Sequence, residues 1–147
     1  MSPFVWMFIS SYGKLRAFLI NQKTITSLVQ LEYSGFSGAT VPICTFTVEN
    51  AHHPEFKGGY IRLSDFRGPE NQAPKTLEAI NSRVCDWFYR ASAIDFLKVP
   101  GSPIAYWISD KIRKLFTDCK SLGELGTPRL GMATGNNDIY VRTWPEV

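Results

Sequence analysis

The sequence has few cysteines and histidines, and their spacing excludes the common metal and disulfide arrangements. Its three cysteines, Cys44, Cys85 and Cys119, are far apart in the chain. That spacing fits neither a zinc site nor a disulfide framework, so we expect reduced thiols. The two histidines, His52 and His53, are adjacent and have no cysteine or carboxylate at ligand spacing. A metal-dependent enzyme built on this pair is therefore a remote alternative, and no metal is expected.

The sequence also lacks the long apolar run of a membrane protein and the glycine-rich loop of a nucleotide-binding protein. Its apolar run near the start, residues 4–9, is too short to cross a bilayer, and no positive residue precedes it as in a signal peptide. A cytoplasmic protein is the default expectation. A phosphate loop and a dinucleotide-binding fingerprint are both missing.

Composition indicates ordinary globular material. The chain has 147 residues, of which 44% are hydrophobic and 20% charged. This length suits one domain or pieces of two. The formal net charge of +3 is compatible with an anionic partner but does not require one.

Two short apolar, β-branched segments, residues 25–31 and 41–48, are predicted as strands on either side of a glycine-containing loop. The loop places Phe36 between Gly35 and Gly38. Phe36 has two interpretations: an anchor that packs into the core, or a flat surface for a planar ligand such as a nucleic-acid base. The spacing alone favours the anchor.

Two helices are predicted from apolar residues at helical spacing. The first runs from Ser2-Pro3, a helix-start signal, to about residue 21, with Lys14 and Arg16 on its solvated side. The second follows a similar signal and covers residues 104–116. Its basic face is either simply solvated or a nucleic-acid contact, and it carries Lys111, Arg113 and Lys114.

The remaining elements are predicted to be short. Residues 60–63 form a third strand, residues 65–74 read as a linker, and residues 75–81 form a short helix. A helical turn is expected over residues 92–97, and a capping box begins a final turn at Ser121. The tail, residues 129–144, has the pattern of strand, turn and strand.

The order of several long strings resembles one family. The strings are SPFVWMFISSYGKLR, ITSLVQLEYSGFSGATVPICTFT, IRLSDFRGPENQAPKTLEAI, GSPIAYWISDKI and GMATGNNDIYVRTWPEV. Together they resemble the bacterial adenine-specific DNA methyltransferases of phage-exclusion (BREX) systems, the PglX type. The resemblance covers nearly the whole chain, as an internal segment of a much larger enzyme.

The resemblance implies an α/β fold: the C-terminal part of a Rossmann-like methyltransferase sheet, then the start of a mixed α/β target-recognition domain. Residues 1–66 would belong to the catalytic domain, residues 67–101 to a connector and residues 102–147 to the recognition domain. The implied activity of the parent enzyme, within phage defence or restriction-modification, is methyl transfer from S-adenosylmethionine to the exocyclic amine of adenine in double-stranded DNA.

The resemblance also assigns expected roles to individual residues. Phe36 matches the position where relatives hold an aromatic residue that stacks on the flipped-out adenine, which makes the second interpretation of its ring the stronger one. Residues at the entry to the recognition domain and in the preceding connector are expected to contact DNA: Arg67, Thr134, Asn136, Asn137 and Arg142. No catalytic, cofactor-binding or metal-binding residue is expected.

Two hallmarks of the family are missing from the sequence. The Pro-Pro motif that holds the target amine and the glycine-rich loop for the methyl donor are both absent. We therefore expect the chain alone neither to bind S-adenosylmethionine nor to methylate DNA. Met1 is expected to be an internal methionine, with an upstream methyltransferase fragment as a possible partner. The alternative is a small stand-alone DNA- or protein-binding module derived from such an enzyme.

Overall fold

A computed structural model of the chain describes residues 1–36, 38 and 41–127, in which strands and helices form a mixed α/β fold. This confirms the α/β class. The described residues form five strands: β1 Ser2–Pro3, β2 Thr24–Gln30, β3 Ile43–Glu49, β4 Gly58–Arg62 and β5 Phe88–Ala91. The same part of the chain forms five α-helices: α1 Gly13–Gln22, α2 Pro69–Asn81, α3 Ala93–Leu97, α4 Asp110–Asp118 and α5 Leu122–Leu125. None of these helices is long and apolar enough to span a membrane.

The strands form one sheet in the order β1-β3-β2-β4-β5. The central strand β2 pairs antiparallel with β3 and parallel with β4, and β5 pairs antiparallel with β4. In the parallel pair Gln30 is opposite Arg62. The carboxyl ends of β2 and β4 therefore lie side by side. We call this end of the sheet, where the loops after β2 and β4 begin, the loop edge.

One side of the sheet, which we call the closed face, carries Leu28 and Gln30 of β2 and Tyr60 of β4. It is covered by α1, two 3₁₀ segments (Phe4–Met7 and Ser10–Tyr12), α3 and residues 104–107. Tyr106 stacks on Tyr60 with ring centroids 4.8 Å apart, and its hydroxyl donates a 2.8 Å hydrogen bond to Gln30 Oε1. Burial raises the pKa of both tyrosines, so they stay neutral.

The other side, which we call the open face, carries Val29 of β2 and Ile61 and Leu63 in and after β4. Helix α2 packs on this face through Ala79, which is fully buried. The helix covers only part of the face. Between α2 and strands β2 and β3 lies a largely apolar groove of about 440 Å³.

The predicted first helix is wrong over its first half. Ser2 and Pro3 pair with Cys44 and Ile43 as a short strand, and two 3₁₀ segments follow. Helix α1 begins only at Gly13. The reason is tertiary: strand pairing and the burial of this segment against the closed face outweigh a helical spacing of apolar residues.

Arg16 was predicted to be solvated and is instead buried, with 3% of its surface exposed. Its guanidinium donates hydrogen bonds to the carbonyl oxygens of Trp6 (2.9 Å), Ile9 (2.6 Å) and Gly101 (3.0 Å). These carbonyls compensate the loss of water around the charge. Arg16 thus ties the N-terminal segment to the loop after α3.

The predicted helix over residues 104–116 is also wrong in its first part. Residues 104–109 are not helical, and α4 begins only at Asp110, with the Ser109 side chain accepting from Ile112 N. Its stripe of apolar residues has helical spacing, but Ile104 and Tyr106 are used by the closed-face core. Arg113, predicted to be on a solvated face, is buried and hydrogen-bonded to Asp110 (2.8 Å).

Most of the other predicted elements are confirmed. The strands at residues 25–31, 41–48 and 60–63 correspond to β2, β3 and β4, and the capping box at Ser121 is formed with Glu124. The linker predicted over residues 65–74 is wrong from Pro69 onward, where α2 begins. The predicted strand–turn–strand tail lies outside the described residues.

Candidate functional site

The carboxyl ends of the two parallel strands define the candidate site. Strand β2 ends at Gln30 and leads into a loop whose described residues, 31–36, 38 and 41–42, include Phe36. Strand β4 ends at Arg62 and leads into residues 63–68, which contain Arg67. Because the strands are parallel neighbours, both loops leave the sheet at the same edge, the edge at which open α/β sheets generally bind their ligands.

The two loops are connected by the side chain of Gln72, in the second turn of α2. Its Oε1 accepts a 3.0 Å hydrogen bond from Glu32 N, in the loop after β2. Its Nε2 donates to the carbonyl oxygens of Phe66 (2.6 Å) and Gly68 (2.9 Å), in the loop after β4. Gln72 is 6% exposed, so these bonds are shielded from water.

Phe36 lies in the first loop with 40% of its surface exposed, so its ring is not fully enclosed by the described part of the chain. Gly35, just before it, packs closely: a Cβ there would approach Glu32 O to 3.0 Å. Gly38, just after it, has φ +78°, a conformation that favours glycine. Both positions are therefore suited to glycine rather than to a residue with a side chain. Base stacking by Phe36 stays a prediction.

Arg67 lies in the second loop, directly before Gly68, the N-cap residue of α2. Arg67 is exposed, and its carbonyl oxygen accepts a 2.6 Å hydrogen bond from Asn71 Nδ2. Within residues 1–36, 38 and 41–127 its guanidinium makes no ion pair. A DNA contact by Arg67 also stays a prediction.

Two polar residues at this edge were missed by the sequence analysis. Among the described residues, Arg62 Nε and Ser64 Oγ are buried without a hydrogen-bond partner. The guanidinium of Arg62 lies 4.7 Å from the ring centre of Trp107. Only the parallel pairing of β4 with β2 brings these side chains to the loop edge, and no local sequence signal indicates a parallel pairing.

The described loop from β4 into α2 contains no glycine-rich stretch of the kind that cradles a charged ligand at a helix N-terminus. The Glu70 carboxylate lies close to Gly68, at the N-terminus of α2. No methyl-transfer step is therefore assigned to this turn. Across the described part of the chain, no group of three His, Cys, Asp or Glu side chains is arranged to hold a metal ion.

The other four predicted DNA-contacting residues lie outside the described residues: Thr134, Asn136, Asn137 and Arg142. The structure thus brings Phe36 and Arg67 to one edge of the sheet and leaves these four as predictions. The described part of the site is a pair of coupled loops with one half-exposed ring and one exposed cation. An exposed aromatic ring is a group suited to stacking, and an exposed guanidinium is a group suited to binding phosphate.

Comparison with known proteins gives two close matches of the same kind, whereas no protein-family profile matches the chain. The chain is 34% identical over 146 residues to the adenine-specific methyltransferase PglX of Lacticaseibacillus casei (strain Zhang). It is also 34% identical over 145 residues to the adenine-specific methyltransferase BrxX of Escherichia coli O9:H4 (strain HS). Each match covers 97% of this chain but only 12% of the relative. Over nearly its whole length, the chain therefore resembles a segment of PglX-type adenine-specific methyltransferases.

Proposed function

We propose that this chain supplies the base-facing loops of a site-specific adenine DNA methyltransferase of a phage-defence (BREX) or restriction-modification system. The supporting observation is its similarity, across 97% of its length, to two proteins named as adenine-specific methyltransferases. The reaction of such an enzyme moves a methyl group from S-adenosylmethionine to the exocyclic amine of adenine in double-stranded DNA. The chain spans about 12% of those relatives, so it performs one part of this task.

In this proposal Phe36 stacks on the target adenine. A base inside a duplex is out of reach of the methyl donor, so it must be extruded, and its flat face then needs a supporting surface. Stacking on an aromatic ring contributes about 1–3 kcal/mol per base. A ring that is 40% exposed in a loop at the ligand-binding edge of the sheet is available for this contact.

Arg67 then contacts a DNA phosphate next to the extruded base. It is exposed and lies on the loop that Gln72 joins to the Phe36 loop, so the two contacts share one support. The remaining contacts to bases and phosphates belong to Thr134, Asn136, Asn137 and Arg142. Phosphate contacts set the position of the protein on the duplex, whereas base contacts select the sequence.

The methyl donor is bound elsewhere in such an enzyme, because this chain has no glycine-rich donor loop. The target amine is likewise held elsewhere, because this chain has no Pro-Pro motif. The proposal therefore requires a second methyltransferase polypeptide or segment, and it expects no methylation by the chain alone. Isothermal titration calorimetry with S-adenosylmethionine checks this expectation. Micromolar binding to the isolated chain would contradict the division of labour.

The direct test is a chimera of the Escherichia coli relative in which this chain replaces the matching 12% of the enzyme. Transfer of radiolabelled methyl groups to the relative's own target DNA is measured. We expect the chimera to methylate adenine, and we expect Phe36→Ala to lower the rate by about 5- to 150-fold, since it removes a stacking contact of about 1–3 kcal/mol. Phe36→Trp keeps an aromatic face and should retain most of the activity.

Tyr33→Ala is the matched control, because Tyr33 is an exposed aromatic residue of the same loop. It should leave methylation within about twofold of the unsubstituted chimera, since no base contact is assigned to it. Equal losses for Phe36→Ala and Tyr33→Ala would refute a specific stacking role. A chimera that folds, binds the methyl donor and leaves adenine unmodified would refute the proposed function.

The alternative, a stand-alone DNA- or protein-binding module, is favoured by one observation. The described residues of this chain form a closed-face core that includes Leu28, Tyr60 and Tyr106, which are at most 2% exposed. A chain with such a core is equipped to fold without a partner. Duplex-DNA binding by the purified chain, with no gain of methylation in the chimera, would select this alternative.

A further inference from the structure

A second polar site lies away from the loop edge, in a cavity of about 370 Å³ formed by the segment before β4, strand β5 and helices α3 and α4. Most of the residues that line it are cationic: Lys57, Arg90, Lys98, Arg113 and Lys114. Two carboxylates, Asp95 and Asp110, complete its polar lining. We call this cavity the basic pocket.

The two carboxylates of the basic pocket are already paired. Asp95 accepts hydrogen bonds from Ser92 N (2.9 Å) and from Lys98 Nζ (3.2 Å). These bonds outweigh the effect of burial, so the pKa of Asp95 lies below its usual value and the carboxylate stays charged. Asp110 accepts a 2.8 Å hydrogen bond from Arg113 Nη1.

Three cations of the basic pocket remain without a counter-ion. Within residues 1–36, 38 and 41–127, Lys57, Arg90 and Lys114 make no ion pair with any carboxylate. All three residues are exposed and surround the same cavity. Converging cations of this kind raise the local concentration of anions and favour a ligand with a delocalised negative charge.

The rim of the pocket is exposed, whereas Arg113 beneath it is buried and hydrogen-bonded. Arg113 is 5% exposed and donates to Tyr106 O (3.4 Å) as well as to Asp110, which fixes α4 to the closed-face core. Arg90 is on β5, opposite Gly59 of β4. Lys57 directly precedes β4. The three cations are therefore presented by three separate elements packed around one core.

We propose that the basic pocket binds the phosphate backbone of duplex DNA, at a distance from the extruded base. The pocket lies at the amino end of β4, whereas the Phe36 and Arg67 loops lie beyond the carboxyl ends of β2 and β4. A five-residue strand such as β4 is about 17 Å long at 3.3 Å per residue, a span of about five base pairs at 3.4 Å each. The contact therefore falls on phosphates that flank the target and carries no base recognition.

This inference takes duplex DNA as the ligand from the proposed function, but its test needs no methylation. The triple variant Lys57→Gln, Arg90→Gln, Lys114→Gln is compared with the wild-type chain by fluorescence anisotropy on a labelled 20-base-pair duplex, between 50 and 200 mM salt. Affinity falls as salt rises, and each lost phosphate contact lowers the magnitude of the negative slope of log affinity against log salt by about 0.9. We expect the magnitude of this slope to be smaller by about 2 to 3 in the triple variant than in the wild-type chain.

Lys111→Gln is the matched control, because Lys111 is an exposed lysine of the same helix α4 that does not line the pocket. It should leave the slope nearly unchanged. A triple variant that binds like Lys111→Gln, or a wild-type chain that does not bind the duplex at 50 mM salt, would overturn the inference. Circular dichroism confirms that each variant is folded before it is titrated.

Two further probes separate the possible ligands. Inorganic phosphate at the same ionic strength should compete only weakly, because a single anion cannot replace contacts along a backbone. A polyglutamate peptide that competes as well as duplex DNA would overturn the inference in favour of an acidic protein partner. If the chimera fails to methylate but the triple variant still shows a salt slope of smaller magnitude, the proposed function is refuted and the basic pocket is supported. If the chimera methylates but the triple variant has the slope of the wild-type chain, only the basic pocket is refuted.

Discussion

The two faces of the sheet differ in how completely they are covered. On the closed face, twelve buried residues of the described part of the chain form one cluster, and one of them, Leu28, has no exposed surface. On the open face, three buried residues form the cluster, and α2 leaves Leu77 and Ile80 of its own length 59% and 55% exposed. Among the described residues, the closed face of the sheet thus has a larger buried core than the open face.

The difference indicates which parts of the chain determine its stability and which parts are available for contacts. Apolar burial stabilises in proportion to area, so most of the stabilisation comes from the closed face. The open face carries an apolar groove of about 440 Å³ beside the Gln72 side chain that joins the two loops. Exposed apolar surface of this kind is typical of interaction sites. The candidate loops therefore lie next to the less covered side of the sheet.

The largest expected effect on stability is that of a leucine-to-alanine substitution on the closed face, compared with the same substitution on the helix of the open face. Leu28→Ala removes a fully buried side chain of the closed face and should lower the free energy of unfolding by about 3–4 kcal/mol. Leu77→Ala, on the exposed side of α2, should change it by less than about 0.5 kcal/mol. Urea unfolding followed by circular dichroism measures both. Similar losses for the two variants would mean that the open face is buried in solution, for instance by self-association.

The second-largest expected effect is the loss of stability when Arg16, the buried cation of the closed face, is replaced. Arg16→Met leaves the carbonyls of Trp6, Ile9 and Gly101 without their donor and should cost about 2–3 kcal/mol. Lys14→Met, on the same helix but exposed, should be nearly neutral. Thermal unfolding at neutral pH compares the two. A neutral Arg16→Met would show that these hydrogen bonds do not persist in solution.

The smallest effect is a dependence of stability on pH. Because the pKa of Asp95 is lower in the folded chain than in the unfolded chain, its contribution is complete above the ordinary value of 3.8 and is lost as pH falls through the folded value. Asp95→Asn, which weakens the capping box of α3, should cost about 1 kcal/mol at pH 7. The difference from wild type should shrink below about pH 4 in urea titrations. A constant difference would assign the effect to packing alone.

Much of the sheet could be predicted because its signals are local. The β-branched and apolar residues of β2 and β3 and the glycines around Phe36 belong to single short stretches of sequence. The same applies to the capping box at Ser121, whose two partners are three residues apart. Local propensity and tertiary structure agree at these positions, so the sequence pattern was sufficient.

The buried arginines could not be predicted because their partners are remote or are backbone atoms. Arg16 meets the carbonyl of Gly101, 85 residues away, and no sequence pattern encodes that pairing. Arg113 is three residues from Asp110, which also fits an exposed ion pair, and only the contact with Tyr106 O indicates burial. The parallel pairing of β2 with β4, which brings the two loops together, is equally non-local.

The amide of Gln72 has a consequence for how the two loops move. Because the amide of Gln72 accepts from Glu32 N of the first loop and donates to the carbonyl oxygens of Phe66 and Gly68 in the second, a shift of this side chain disturbs both loops. The loops should therefore open as one cooperative unit with a common protection factor in amide hydrogen exchange. A molecule that orders the Phe36 loop alone would slow exchange in the Arg67 loop as well, without touching it.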